Sequence, residues 1–260
     1  MMSQPNHDVA EVKSSSPILT SLFEREGSMW GSLKRPSLRR ESHKSMIEEA
    51  RSDDNDLCHD MLTTFGFTQE QMHRAAERFH LGRSKSGKTI YWQIDELSIC
   101  RDGRIGDAWV STMLQARYPD LAQYVRPQHC LFGLHQISQG PPLRQGKAGN
   151  SRDPTPIGIV ESERSAVLLS ELQPALLWLA TSPIAHCTLD LFEPLRGHRV
   201  TVFPHTDETL SNYVAWLELS DMVRQTYHLD LTISDTLENA ATSDQKCRSI
   251  DLVDFLFEST

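Results

Sequence analysis

Acidic side chains stand where two predicted strands end. Ile157-Gly158-Ile159-Val160 runs straight into Glu161, and His198-Arg199-Val200-Thr201-Val202-Phe203 gives way to Pro204-His205-Thr206-Asp207. Neighbouring parallel strands present their carboxyl ends on one edge, so Glu161 and Asp207 would converge if these two strands lie side by side. Two or three carboxylates on one rim bind Mg2+, a hard cation that takes oxygen ligands and keeps waters for a phosphate. Asp251 and Asp254, three apart on a predicted helix, share a face and could join them. A second reading is equally open. An acid after a strand often caps the next helix, where unpaired amides and the helix dipole favour it.

The elements that must position these acids are legible from periodicity. A short apolar run bounded by Pro154 and Pro156 reads as the buried strand 157–160, and the following residues, about 162–172, read as a helix. Leu176-Leu177-Trp178-Leu179-Ala180 is a second buried run, 198–203 a third strand, and Leu229 to Ile233 a fourth. A long amphipathic helix passes through Tyr213, Trp216, Leu217 and Met222, and Ile250 to Leu256 closes the chain as a helix. Alternation of strand and helix implies a parallel sheet with right-handed crossovers and helices on both faces.

A different pattern precedes it. Thr68 and Gln71 carry the start signal of a helix whose apolar stripe is Met72, Ala75, Ala76 and Phe79. The letters Gly82 to Gly87-Lys88-Thr89 match a phosphate-cradling loop, but that loop needs a strand before it and a helix after it. Here Thr89-Ile90-Tyr91-Trp92-Gln93-Ile94 is β-branched and aromatic, so the stretch is read as a hairpin turn. With Ile99 to Gly106, and Asp102-Gly103 taken as a turn, residues 80–106 form a small antiparallel meander. It bears Arg83, Lys85, Lys88, Arg101 and Arg104 beside Tyr91 and Trp92. Phosphate contacts with base stacking are how a single strand of DNA or RNA is held. The same residues also read as core aromatics with their charges on a solvated hairpin edge. His129, Cys130 and His135 match no zinc spacing and are read as packing.

Bulk composition sets bounds. The net charge of −9 is uneven: residues 151–260 hold 7 Lys/Arg against 17 Asp/Glu, whereas residues 1–150 hold 19 against 18. A broad phosphate-binding surface is therefore not expected in the second half, while a local basic face fits the first. Residues 1–55, with the basic cluster Lys34, Arg35, Arg39 and Arg40, are too polar to offset chain entropy and read as a disordered tail. The remaining expected divisions are 56–137 as a helix with a small sheet, 138–156 as a linker and 157–260 as the α/β core. Five scattered cysteines without a CxxC pair, no secretory leader and no long apolar run imply a reduced, cytoplasmic protein away from membranes.

Gly158-Ile159-Val160-Glu161-Ser162-Glu163-Arg164-Ser165-Ala166, Trp178-Leu179-Ala180-Thr181, Val200 to Asp207, and Asp251-Leu252-Val253-Asp254-Phe255-Leu256 together resemble the Toprim-type catalytic core. With the hairpin 81–95 and Cys130-Leu131-Phe132-Gly133-Leu134-His135, they are similar to a bacterial primase-like family of unknown function found on chromosomes and mobile elements. The resemblance spans about residues 65–257. It implies a Toprim-like α/β fold and a primase- or nuclease-like protein performing Mg2+-dependent phosphoryl transfer on nucleic acid. Glu161 matches the acid–base glutamate and Asp207 the second residue of a metal-binding Asp-x-Asp pair. His205 holds the first aspartate's place, and imidazole suits Mn2+ or Zn2+ better than Mg2+. Thr181-Ser182-Pro183-Ile184 replaces a glycine-rich turn, and no cysteine zinc module precedes the core. The implied site is thus Glu161, Asp207, His205, Asp251 and Asp254, partly degenerate. The alternative is a non-catalytic nucleic-acid- or protein-binding adaptor with a vestigial site.

Overall fold

In the computed structural model, residues 47–48, 50–120, 129–138, 155–182 and 187–258 are described. Most of the tail, residues 139–154 of the expected 138–156 linker, and Pro183 and Ile184 lie outside them. Two short helices come first, α1 (Asp56–Thr63) and α2 (Gln69–Arg78). An antiparallel meander follows: β1 (Gly82–Arg83), β2 (Thr89–Ile94), β3 (Cys100–Ile105) and β4 (Ala108–Trp109), then α3 (Val110–Arg117). The remainder is β5 (Ile157–Val160), α4 (Glu163–Leu172), β6 (Leu177–Ala180), β7 (Arg199–Val202), α5 (Ser211–Tyr227), β8 (Asp230–Ile233), α6 (Thr236–Ala240), α7 (Ser243–Cys247) and α8 (Leu252–Glu258). Strands β5 to β8 form one parallel sheet in the order β6-β5-β7-β8. The expected α/β class, a parallel sheet flanked by helices with an antiparallel meander before it, is the fold observed.

Both faces of the parallel sheet are covered, which is why its strands read as unbroken apolar runs. Ile157, Ile159, Leu177, Leu179, Val200 and Val202 face a core built with Trp216, Leu219 and Val223 of α5. Val160, Trp178 and Ala180 face the other way, onto a core shared with α1, α2, α4 and α8. That division follows the two-residue period of a strand. Gly158 pairs with Trp178, and a Cβ at Gly158 would stand 2.6 Å from the indole. The glycine is therefore the space the tryptophan ring occupies.

Helix α2 begins as its sequence predicts, with Thr68 and Gln71 in a reciprocal capping box. Arg74 and Arg78 then clamp the buried Glu171 of α4 at 2.7 and 3.3 Å. The Gly82–Thr89 stretch is the β1–β2 turn, as expected. Its Thr89 is buried and bonded to Asn55 and Asp56, far from any phosphate-binding role.

One local expectation is corrected. Asp102-Gly103 is not a turn but lies inside β3. Gly103 sits opposite Trp92, and a Cβ there would come within 2.7 Å of the ring. Asp102 turns inward and accepts the amide and hydroxyl of Ser111 at 3.0 and 2.5 Å. The reversal between β2 and β3 instead runs through Glu96, Leu97 and Ser98, with Asp95 accepting the Leu97 and Ile99 amides. Arg104 of β3 pairs with Glu163 of α4 at 3.2 Å, and Phe132, against which Tyr91 of β2 packs, bridges Ala180 of β6.

Candidate functional site

The chain leaves β5 for β6 on one side and then crosses to β7 on the other, so the order of winding reverses between β5 and β7. Open α/β sheets place their ligands in the crevice at such a point, beyond the carboxyl ends of the strands. Glu161 follows β5 and His205 and Asp207 follow β7, so the acids predicted to converge do share one rim. Asn212 stands between them: its side-chain amide donates to Glu161 Oε1 at 2.6 Å, and its backbone amide to Asp207 Oδ2 at 2.7 Å.

The way each acid is held decides what it can do. Glu161 is buried, and its Oε1 also accepts the His205 amide at 3.2 Å and the Trp216 indole N–H at 3.1 Å. Asp207 accepts five hydrogen bonds: the Thr209 amide and hydroxyl at 2.7 Å each, the Ser211 amide at 3.1 Å, the Ser211 hydroxyl at 3.3 Å, and the Asn212 amide. Three of these donors are backbone amides at or just before the start of α5, the groups a helix leaves without internal partners. Burial alone would raise the Asp207 carboxyl, but the bonds from the Thr209 hydroxyl and the Asn212, Ser211 and Thr209 amides hold it well below the usual carboxylate range. Asp207 thus fastens the head of α5.

A second group sits beside it. Asp251 is buried, accepts the Ser165 hydroxyl from α4 and caps α8 through the Asp254 amide at 2.9 Å. Asp254 returns the bond by accepting the Asp251 amide at 3.3 Å. Burial first, and the neighbouring Asp251 charge second, push the Asp254 carboxyl up. His205 Nε2 is buried without a hydrogen bond, 3.9 Å from Asp251 Oδ2. Cys187 also lies near the rim. Burial pushes its thiol up to about 11 despite a hydrogen bond with Thr181, and the Glu161 charge adds to the rise.

As arranged, these residues do not fit Mg2+. Asp207 spends both oxygens and Glu161 its Oε1 on donors of the chain itself, Asp251 and Asp254 together cap α8, and an imidazole is a poor Mg2+ ligand. Among the described residues, no three of His, Cys, Asp and Glu are grouped so as to hold a metal ion. The residues that sequence reasoning missed are the donors, Asn212, Trp216 and Ser165. Asn212 carries no motif, and Trp216 was legible only as part of an apolar stripe.

The expected nucleic-acid surface is divided. Lys85 and Lys88 are exposed on and beside the β1–β2 turn, and Arg83 lies 3.4 Å from Asp54. Arg101 is held by the buried Asp95 at 2.5 Å, and Arg104 by Glu163. Trp92 is buried, which corrects the expectation of a stacking face there. Tyr91 packs edge-on against Phe132, and burial pushes its hydroxyl far above the usual range. The two aromatics are core because alternate β2 positions pack on different clusters, Tyr91 toward the parallel unit and Trp92 away from it.

The model of a domain of unknown function (DUF6371) matches residues 55–206, more than half of the chain. The chain belongs to this family. The DUF6371 match takes in α1, α2, the meander and the parallel strands through β7, and so includes Glu161 and His205. No curated protein matches the chain. Among solved structures, the chain is similar to the primase fragment of the bacteriophage T7 primase-helicase protein. Identity is 12%, 71% of this chain and 69% of that chain are covered, and the TM-score is 0.39. No helix among the described residues is long and apolar enough to cross a membrane.

Proposed function

We propose that this DUF6371 chain is a Toprim-type nucleic-acid-binding protein whose strand-end carboxylates fasten the fold instead of performing phosphoryl transfer. The observation that carries this reading is the engagement of both rim acids by α5 and the loop before it, three donors on one oxygen of Glu161 and five on Asp207. The nucleic-acid part is supported by the exposed Lys85 and Lys88 and by the near-neutral first half of an otherwise acidic chain. The partner in this reading is single-stranded DNA or RNA, gripped by its phosphates. Base stacking on Trp92 is not part of it.

Fluorescence anisotropy with labelled single strands tests the proposal. Binding should weaken with salt, and Lys85→Ala and Lys88→Ala should each reduce the salt slope by about 0.7. Glu161→Gln keeps an acceptor for Asn212 and Trp216 and should bind like wild type. Absence of salt-sensitive binding would overturn the reading. One feature favours the metal-dependent primase- or nuclease-like alternative: His205 Nε2 lies buried beside Asp251 with no hydrogen bond. Cleavage or primer synthesis that needs Mg2+ or Mn2+ and disappears in Glu161→Gln would establish it.

A further inference from the structure

Helix α5 holds the rim with one face and leaves another uncovered. Leu210, Val214 and Leu217 are 43%, 46% and 38% exposed. Their i, i+4, i+7 spacing places them in one row. The side chains on the opposite face, Trp216, Leu219 and Val223, already fill the core, so the exposed row is not needed to seat the helix. Glu218 on α5 and Glu208 just before it are exposed acids near the row, whereas Asp221, one turn further on, is paired with Arg224 at 3.1 Å.

Leu210 adds an independent sign. Its φ is +61°, the left-handed region, and it occupies the N-cap position, where its side chain makes no capping bond. A leucine is strained there, and Gly or Asn would adopt that conformation at lower cost. The turn at Leu210 lets Asp207 accept the Thr209 and Ser211 amides on either side, which offsets part of the strain, while the side chain itself stays 43% exposed. Strained residues cluster at sites that contact something else.

We infer that the Leu210–Val214–Leu217 row is a docking surface for a basic amphipathic helix of a partner protein. The apolar row matches the groove spacing that a helix presents at i, i+3/i+4 and i+7. The flanking acids select a partner with lysine or arginine beside its apolar row, and the −10 charge of residues 151–260 attracts such a segment at long range. The surface is separate from Lys85 and Lys88 and does not depend on the nucleic-acid reading.

The test uses the full chain and two synthetic helical peptides of identical leucine pattern, one filled with lysine and one with glutamate. Anisotropy of labelled peptide should show the leucine–lysine peptide binding and the leucine–glutamate peptide not binding. Val214→Asp and Leu217→Asp should each weaken binding at least tenfold. Met222→Asp, equally exposed but off the row, should leave it unchanged. Leu210→Gly should weaken peptide binding while raising the melting temperature by about 2–4 °C, as relief of left-handed strain predicts. Single-strand binding should be the same in all these variants. Equal binding of both peptides, or equal loss in Met222→Asp, would overturn the proposal. So would wild-type dimers in light scattering that Val214→Asp dissolves, because the occupant would then be a second copy of this chain.

Discussion

Replacing Asp207 by alanine separates a fastener from a metal ligand. Alanine removes an acceptor from three backbone amides and two hydroxyls at the head of α5, a 17-residue helix that also carries Asn212 and Trp216 to Glu161. Losing a capping side chain costs about 0.5–2 kcal/mol, and although Asp207 precedes the Leu210 N-cap, three amides served by its carboxylate place this case near the upper end, about 2 kcal/mol. For a folded unit of this size the melting temperature should fall by about 4–8 °C. Asp207→Asn keeps a neutral acceptor and should lose roughly half as much. Urea unfolding followed by tryptophan fluorescence measures both. The pH dependence has a defined sign. The folded Asp207 carboxyl lies below its unfolded value of about 3.9, so its contribution is complete above that value. It is lost only as pH falls toward the depressed folded value. An Asp207→Ala protein as stable as wild type, or more stable, would refute the reasoning. Such a result is what a carboxylate held in place for a cation would give.

Three further outcomes follow from the packing. Gly158→Ala should destabilise by about 1–3 kcal/mol in urea unfolding, because the added methyl meets the Trp178 ring at 2.6 Å across the β5–β6 pair. Arg104→Ala should cost about 3 kcal/mol, because among the described residues the buried Glu163 then keeps the Ser182 hydroxyl alone. Glu163→Gln in that background should restore part of the loss, measured by a double-mutant cycle. His135 is held down to about 4 by burial, against an ordinary value of 6.5. The unfolded chain therefore binds its proton first, and stability should decline as pH falls from about 6.5 toward 4. His135→Gln should flatten that part of the acid-unfolding curve.

The strands were legible because burial on both faces leaves short runs such as 157–160 wholly apolar, bounded by proline and acid. The rim was legible in part. Strand ends locate Glu161 and Asp207, and the order β6-β5-β7 puts them together. Their duties were not legible, because a cap and a ligand use the same residue at the same position. Only the donors tell them apart, and Asn212 and Trp216 reach Glu161 from about fifty residues away. Asp102-Gly103 misled for a related reason. Those letters favour a turn, but the empty Cβ position of Gly103 accommodates Trp92 from the facing strand. Charge misled at Arg101 and Arg104, which look basic in isolation and are each neutralised by an acid distant in the sequence or around a turn.

Glu161 and Asp207 are either committed to α5 and the loop before it or free to hold a metal ion. Calorimetric titration of the full chain with Mn2+, the softer and more imidazole-tolerant ion, asks this directly. No saturable site is expected. One ion bound per chain, with the heat abolished in Glu161→Gln, would contradict it.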